Sequence, residues 1–206
     1  LSGSAKEMIN IEKGHFFEQG LIAILPKLTP HLASSEQFTR GLEYTETYYH
    51  KNGITLACEP GGFLSKELQT RINAVYSDTD TPFNHCFIGD GKSFYAKKPD
   101  DAKRLIEETK RVETWGSGRT WYLPNQVKLF TDGAIYSQLM QMKDGYLDGH
   151  HGAWIIDPPA FEFMFNTYWD AGYQIHVHNN GDAGMDVLLG ALEKAMSRQA
   201  REDHRT

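Results

Sequence analysis

Apolar and polar positions along the chain alternate between a helical spacing and short apolar runs typical of buried strands. The predicted helices span residues 34–51, 66–77, 99–113, 160–170 and 183–198, and the predicted strands span residues 54–58, 83–88, 127–130 and 173–178. This helix–strand order, repeated four times before a final helix, predicts an α/β fold with βα units and a parallel sheet. The pattern leaves open whether the strands form a small open sheet or part of a barrel.

Several of the predicted helices and strands are marked by characteristic residues at their ends or along their length. Ser34 and Gln37 have the spacing of a capping box, and Asp157 precedes two prolines as a helix cap would. The run ITLAC at residues 54–58 is typical of a strand buried on both faces. The apolar segment at residues 16–28, interrupted by proline, predicts an irregular excursion over the rest of the fold.

The stretch YQIHVHNNGD at residues 173–182 combines a strand with a turn. His176 and His178 are two residues apart, so their rings point to the same side of a strand. Asp182 is placed to cap the following helix. Two histidines at the carboxyl end of a barrel strand suit metal binding, and the alternative is a histidine hydrogen-bonded within the core.

Lys128 lies inside the apolar run VKLF at residues 127–130. A buried ammonium without a partner costs several kcal/mol. A carboxylate partner, a lowered pKa or conversion to a carbamate, an anion that can bridge metal ions, would each relieve this cost. The alternative is a lysine at the strand edge whose stem packs while its head reaches water.

Composition narrows the function classes. The chain has 206 residues, which suits one domain, and its formal charge of −6 argues against nucleic acid and anionic membranes as partners. Its apolar runs are too short to cross a bilayer. No secretory signal is visible, which by itself says little, and the location stays open with the cytoplasm favoured. The two cysteines, Cys58 and Cys86, fit reduced thiols in a core. The first residue is Leu rather than Met, which suggests a piece of a longer protein.

Three motifs in order resemble the amidohydrolase superfamily, in particular amidohydrolase family 3 with its N-substituted formamide deformylases. VKLFTDG at residues 127–133 resembles the family's fourth barrel strand, and HNNGD at residues 178–182 resembles the motif after the fifth. NGITLACEPG at residues 52–61 is similar to an upstream motif, with Glu59 where the family usually has Asp.

The resemblance implies a partial TIM-type (β/α)8 barrel, with four βα units matching strands two to five. By this resemblance Lys128 and His178 are metal ligands, Lys128 as a carboxylated lysine, and His176 lines the pocket. Asp132 and Asp182 fall within the motifs and are further pocket candidates. The implied activity is hydrolysis of amide or N-formyl C–N bonds in a small-molecule substrate, by water on a divalent metal, expected to be zinc.

The same resemblance implies missing parts. The family takes a His-x-His pair from its first strand, a histidine from its sixth and an aspartate from its eighth, and this sequence supplies none of them in those places. We therefore expect a truncated, inactive catalytic domain over residues 1–206, with the metal absent or weakly bound. Two alternatives stay open: a non-catalytic α/β fragment that self-associates, and a small zinc protein that uses His176, His178 and a third ligand from His85 or Glu59.

Three further expectations concern the surroundings of the site. The long segment at residues 134–156 is either a substrate loop, to which His150 and His151 would belong, or an Ω-loop packed by its own aromatics. Without metal, Lys128 should pair with a carboxylate such as Asp132 or Glu59. The strand edges left open at residues 54–58 and 173–178 predict a homo-oligomer.

Overall fold

The computed structural model describes residues 8–32, 34–62, 65–78 and 80–206. The chain divides into two compact units, residues 1–42 and residues 43–206. In the first unit, strands β1 (Ile9–Asn10) and β2 (His15–Phe16) form an antiparallel pair and helix α1 (Gln19–Leu32) follows. The sequence indicated a break at the prolines of this segment, whereas α1 continues through Pro26 and Pro30.

Helix α2 (Ser35–Lys51) spans the boundary between the units. The predicted capping box is confirmed, because the Ser34 amide donates to Gln37 Oε1 over 2.8 Å and the Gln37 amide donates to Ser34 Oγ over 3.2 Å. Two backbone donors at the helix start are thereby satisfied by neighbouring side chains.

The second unit is built on a parallel sheet with the order β3 (Leu56–Pro60), β4 (Asn84–Asp90), β5 (Thr120–Phe130), β6 (Gln174–His178). The helices that follow the strands are α3 (Lys66–Tyr76), α4 (Gly91–Lys97), α5 (Ala102–Glu113), α6 (Pro158–Asp170) and α7 (Asp182–Arg198), with a 3-10 turn at Ile135–Ser137. The sheet curls into a half-barrel, so the α/β class and the partial TIM-type barrel are confirmed.

The core lies between the convex face of the sheet and the helices. Val127, Leu129 and Ile175 are fully buried on that face, as are Phe161, Phe165, Tyr168 and Trp169 of α6. Side chains alternate between the two faces along a strand. Lys128, between Val127 and Leu129, and His176, next to Ile175, therefore point to the concave face. The concave face is where the chemistry-bearing side chains gather.

Strand β3 differs from its prediction. Leu56 is 59% exposed and Cys58 is also exposed, so the strand is not buried on both faces. Within the described sheet, β3 is an edge strand and has a neighbouring strand on one side only. A short apolar run does not reveal how many of its faces are covered.

Helix α4 was missed by the sequence analysis, which predicted only a turn at residues 89–91. The Asp90 carboxylate accepts hydrogen bonds from the Lys92 amide over 3.0 Å and from the Ser93 hydroxyl over 2.5 Å, and this N-cap starts the helix. Strand β5 is also longer than predicted, and its register shifts around Asn125, which has a positive φ of 55°. Among the described helices, none has the length and apolarity needed to cross a bilayer.

Candidate functional site

Lys128 and the two histidines lie on neighbouring strands of the concave face. The ladder between β5 and β6 pairs Lys128 with His176 and Phe130 with His178, and both strands run parallel. All these side chains therefore point to the same side, within the last residues before the carboxyl ends of the strands. This is the rim where barrel enzymes place their active sites.

A glycine makes room for Lys128. Gly61 follows β3 with a φ of 89°, and a Cβ at this position would lie 2.6 Å from Cγ of Lys128. Any side chain here would therefore be strained and would displace the lysine. This contact gives a physical reason for a glycine at the end of the EPG motif.

The Lys128 ammonium lies over the Phe130 ring, 5.3 Å from its centroid, and the Lys92 ammonium lies 5.0 Å from the same centroid. Burial lowers the pKa of Lys128. Among the described residues, no carboxylate lies within ion-pair distance of Lys128. Two ammonium groups thus lie beside one aromatic ring, and that ring supplies part of the solvation that Lys128 has lost.

The expected pairing of Lys128 with Asp132 or Glu59 was wrong. Glu59 pairs in the ladder with Phe87, so it belongs to the helix-covered side of the sheet rather than the concave side. Asp132 is fully buried and committed to the backbone of two loops. Asp90, the ladder partner of Lys128 in β4, caps α4 instead.

His176 is held by a neighbour that the sequence analysis did not identify. Its Nε2 lies 2.8 Å from the Gln126 side-chain oxygen, and Gln126 lies two residues before Lys128 in β5. Burial and the charge of Lys128 lower the pKa of His176. The ring is therefore kept neutral beside the lysine, and Nε2 carries its proton in order to donate to Gln126.

His178 has a different partner. The Asn180 side-chain amide donates to the Gly133 carbonyl and to His178 Nε2, each over 2.9 Å. Nε2 therefore accepts a hydrogen bond, which places the ring proton of neutral His178 on Nδ1. The ring also packs against Phe130, with centroids 5.7 Å apart.

Asp132 ties the loop after β5 to the loop after β6. Its carboxylate accepts hydrogen bonds from the backbone amides of Gln141, Asn180 and Gly181 over 2.7–2.9 Å. The Thr131 hydroxyl lies 2.9 Å from the same group. Asp132 is thus an anchor beneath the rim, and it holds the segment that carries Asn180 against His178.

Asp182 lies at the start of α7 but is not the cap that was predicted. Gly181 occupies the N-cap position, and Asp182 accepts from the backbone amides of Lys143 and Ala183, each over 3.0 Å. A Cβ at Gly181 would lie 2.1 Å from the Gln141 carbonyl oxygen. The glycine and aspartate of the HNNGD motif therefore dock the long loop.

The loop at residues 134–156 closes on itself like an Ω-loop. The ring of His150 stacks on Tyr146 at 4.2 Å, and its nitrogens lie 2.5 Å from Asp148 Oδ1 and 2.9 Å from the Gln138 carbonyl. The Gln138 and Asp148 contacts raise the pKa of His150. His151 is exposed and lies against Gly145, so the adjacent histidines have separate surroundings.

The two other candidate ligands are not on the concave face. His85 stacks on Phe87 at 4.7 Å and on Tyr76 at 5.6 Å, on the side covered by α3. Glu59 belongs to that same side. Neither residue can complete a zinc site with His176 and His178, which removes the structural support for a small zinc protein of that design.

The donor set of the described residues is too small for a hydrolytic metal centre. No group of three His, Cys, Asp or Glu side chains in the described part of the chain has metal-binding spacing. A catalytic zinc usually takes three protein ligands. Lys128 and His178 lie near each other, but by themselves they do not fit a complete site.

The described part of the chain is thus a partial TIM-type barrel with a lysine and two histidines at the carboxyl rim of its sheet. The amidohydrolase family profile matches residues 17–206, and the chain belongs to this family. Among curated proteins, none matches the sequence.

Two solved structures share the fold. An uncharacterized metal-dependent hydrolase from Pyrococcus horikoshii OT3 has a TM-score of 0.60 at 13% identity. The superposition covers 91% of this chain and 36% of the Pyrococcus horikoshii chain. An uncharacterized metal-dependent hydrolase from Pyrococcus furiosus has a TM-score of 0.61 at 16% identity. Here the superposition covers 92% of this chain and 38% of the Pyrococcus furiosus chain. The chain thus spans a little over a third of these structures.

Proposed function

We propose that this chain is the central part of a metal-dependent hydrolase that acts on C–N bonds of the amide or N-formyl type. The observation that carries the proposal is the placement of Lys128 beside the histidine strand, at the carboxyl rim and without a carboxylate partner among the described residues. Lys128 is only partly buried, so its amine is accessible from the concave face of the sheet.

The role proposed for Lys128 is that of an amine that reacts with carbon dioxide. The ammonium first loses a proton, and the neutral amine then forms a C–N bond to carbon dioxide and releases a second proton, which leaves a carbamate anion. Burial lowers the pKa of Lys128, so more of the neutral amine is present at a given pH. The nearby Lys92 ammonium would favour the anionic product.

The role proposed for His178 is that of a metal ligand, with Asn180 as the residue that orients its ring. Nε2 is the unprotonated nitrogen of the ring, since it accepts a hydrogen bond from Asn180, and a metal ion would take the place of that hydrogen bond. His176 is proposed as a pocket residue, since its Nε2 is engaged with Gln126. The remaining ligands would come from further strands, and we propose that this chain alone is inactive.

The test of the proposed function compares hydrolysis of N-formyl amines, carboxamides and esters with zinc and bicarbonate present. This chain alone should release no formate, ammonia or amine above the level of the Lys128→Ala/His178→Ala double variant. A longer chain of the same gene with further barrel strands should cleave the amide or formyl substrates and lose that activity on the double substitution. Activity that survives the double substitution, or that is confined to esters, would overturn the proposal.

A further inference from the structure

The two cysteines of the chain lie side by side on neighbouring strands. The ladder between β3 and β4 pairs Cys58 with Cys86, so both thiols point to the concave face. The side chains are in contact, with a hydrogen bond between the thiols. Cys58 is exposed and Cys86 is 4% exposed, so one thiol of the pair is open to solvent.

The pair is separate from the rim that holds Lys128. Asp90 is the ladder partner of Lys128, and Cys86 lies four residues before it in β4. At about 3.3 Å per residue, the thiols are roughly 13 Å nearer the amino ends of the strands. No function proposed for the rim uses them.

We propose that Cys58 and Cys86 form a two-thiolate site for a soft monovalent metal ion, Cu(I) in particular. Thiolate ligands select Cu(I) over harder cations. Metal–thiolate bonds of about 2.3 Å give a sulfur–sulfur span of up to roughly 4.6 Å for an ion between two sulfurs. Neighbouring strands lie about 4.8 Å apart, so the side chains of two directly paired residues are close enough for both sulfurs to reach one ion.

A disulfide is the alternative use of the same two thiols. The spacing of about 4.8 Å between neighbouring strands lies within the Cα range of about 4.4–6.8 Å that disulfides span. Metal binding is therefore tested on the reduced protein.

Binding releases protons and transfers no electrons. Each thiol loses one proton and each thiolate forms one bond to the ion, so Cu⁺ and two thiols give an anionic complex with one negative charge and two free protons. Burial and the neighbouring Cys86 raise the pKa of the Cys58 thiol to about 12. Because two protons are released for each ion bound, the affinity for Cu(I) should rise by up to about 100-fold per pH unit while both thiols are protonated.

The test is an anaerobic titration of the reduced protein with Cu(I) against a chromogenic Cu(I) chelator. The chain should take up close to one ion, and Cys58→Ser should abolish this uptake; the substitution is at an exposed position and should not impair folding. Met185→Leu removes an exposed thioether and should retain the ion, as should His178→Ala, which changes the proposed hydrolase site.

Size-exclusion chromatography of the loaded protein completes the test, because exposed Cys58 thiols of two chains could share an ion. The proposal requires the loaded and metal-free proteins to elute at the same size. Uptake that survives Cys58→Ser, uptake only in a species of doubled size, or no uptake from the chelator would each overturn it.

Discussion

A lysine between apolar neighbours in a strand has lost part of its hydration, and Lys128 recovers part of it from an aromatic ring. Its ammonium lies 5.3 Å from the Phe130 centroid, and burial lowers its pKa. A cation–π contact contributes about 0.5–2 kcal/mol, less than a buried ion pair needs to offset its desolvation. At the residue scale, Lys128 therefore costs stability in the fold that contains it.

Replacing Lys128 by Met should raise the melting temperature by a few degrees near neutral pH, because it removes a partly desolvated charge. The pKa of Lys128 is lowered on folding, so the cost is full below its folded pKa and disappears as pH rises towards its unfolded value of 10.5. Thermal unfolding across this range should show the advantage of the variant shrinking with pH. Lys103→Met, at a lysine whose side chain is 87% exposed, is the control, and an equal gain there would contradict the explanation.

Asp132→Asn should destabilise the fold by about 2–4 kcal/mol, because an amide group would face backbone amides that now donate to a buried carboxylate. Denaturant unfolding measures the loss, and hydrogen exchange should speed up at the amides of Gln141, Asn180 and Gly181. The matched control is Asp203→Asn, in an exposed pair with Arg205. Unchanged exchange at the three amides would show that Asp132 is not the anchor.

Sequence reasoning located the chemistry-bearing residues better than their partners. Lys128 and His178 could be placed on one face because strand alternation and a family motif both specify it. Gln126, Asn180 and Phe130 were missed as partners, since contacts across a ladder depend on a register that no short motif states. For the same reason, Glu59 was wrongly predicted to pair with Lys128, although the two side chains lie on opposite faces of the sheet.

At the scale of elements, the long loop after β5 is held by close backbone approaches. A Cβ at Gly181 would lie 2.1 Å from the Gln141 carbonyl oxygen, and one at Gly152 would lie 1.9 Å from that of Met140. Strand and helix periodicity predicted the elements on either side of this loop, but it carries no information on such approaches. The observed bounds of β4 and β6 lie close to those predicted from the apolar pattern. Strand β3, at the edge of the sheet, was predicted to be buried on both faces and is mostly exposed.

Gly181→Ala should undock the loop at residues 134–156 from α7 at a cost of about 1–3 kcal/mol, because the added methyl group overlaps the Gln141 backbone. Limited proteolysis should then cut within this loop. Gly190→Ala is a matched control in the same helix with open space around it, and it should stabilise the protein by about 0.5–1 kcal/mol. Equal resistance to proteolysis in the two variants would argue against loop docking through Gly181.

The order within this loop should depend on pH through His150. Its pKa is raised by the Gln138 carbonyl and Asp148, so the stabilisation is complete below the unfolded value of 6.5 and is lost as pH rises through the folded pKa. Hydrogen exchange in the loop, corrected for intrinsic rates, should show more protection on the acidic side. His150→Gln should remove this dependence, and its persistence would assign the effect to another group.

At the scale of the whole molecule, the sheet contains half of the strands of a closed barrel, with β3 and β6 as its edges. Leu56 is 59% exposed on β3, and unpaired strand edges favour pairing with other strands. We propose that copies of this chain associate through these edges. Sedimentation at increasing concentration should show a self-association equilibrium, and a monodisperse monomer throughout would contradict the proposal.

We have proposed that Lys128 and His178 face one volume at the carboxyl rim and would contribute ligands to a metal site. The most direct measurement is the addition of Co²⁺, a paramagnetic substitute for zinc, to the isotope-labelled protein with bicarbonate present. Selective NMR broadening of the His178 ring and the Lys128 side chain is expected. In His178→Ala, the broadening of the Lys128 side chain should be lost. Broadening centred on His150 or His204, with His178 and Lys128 unaffected, would contradict it.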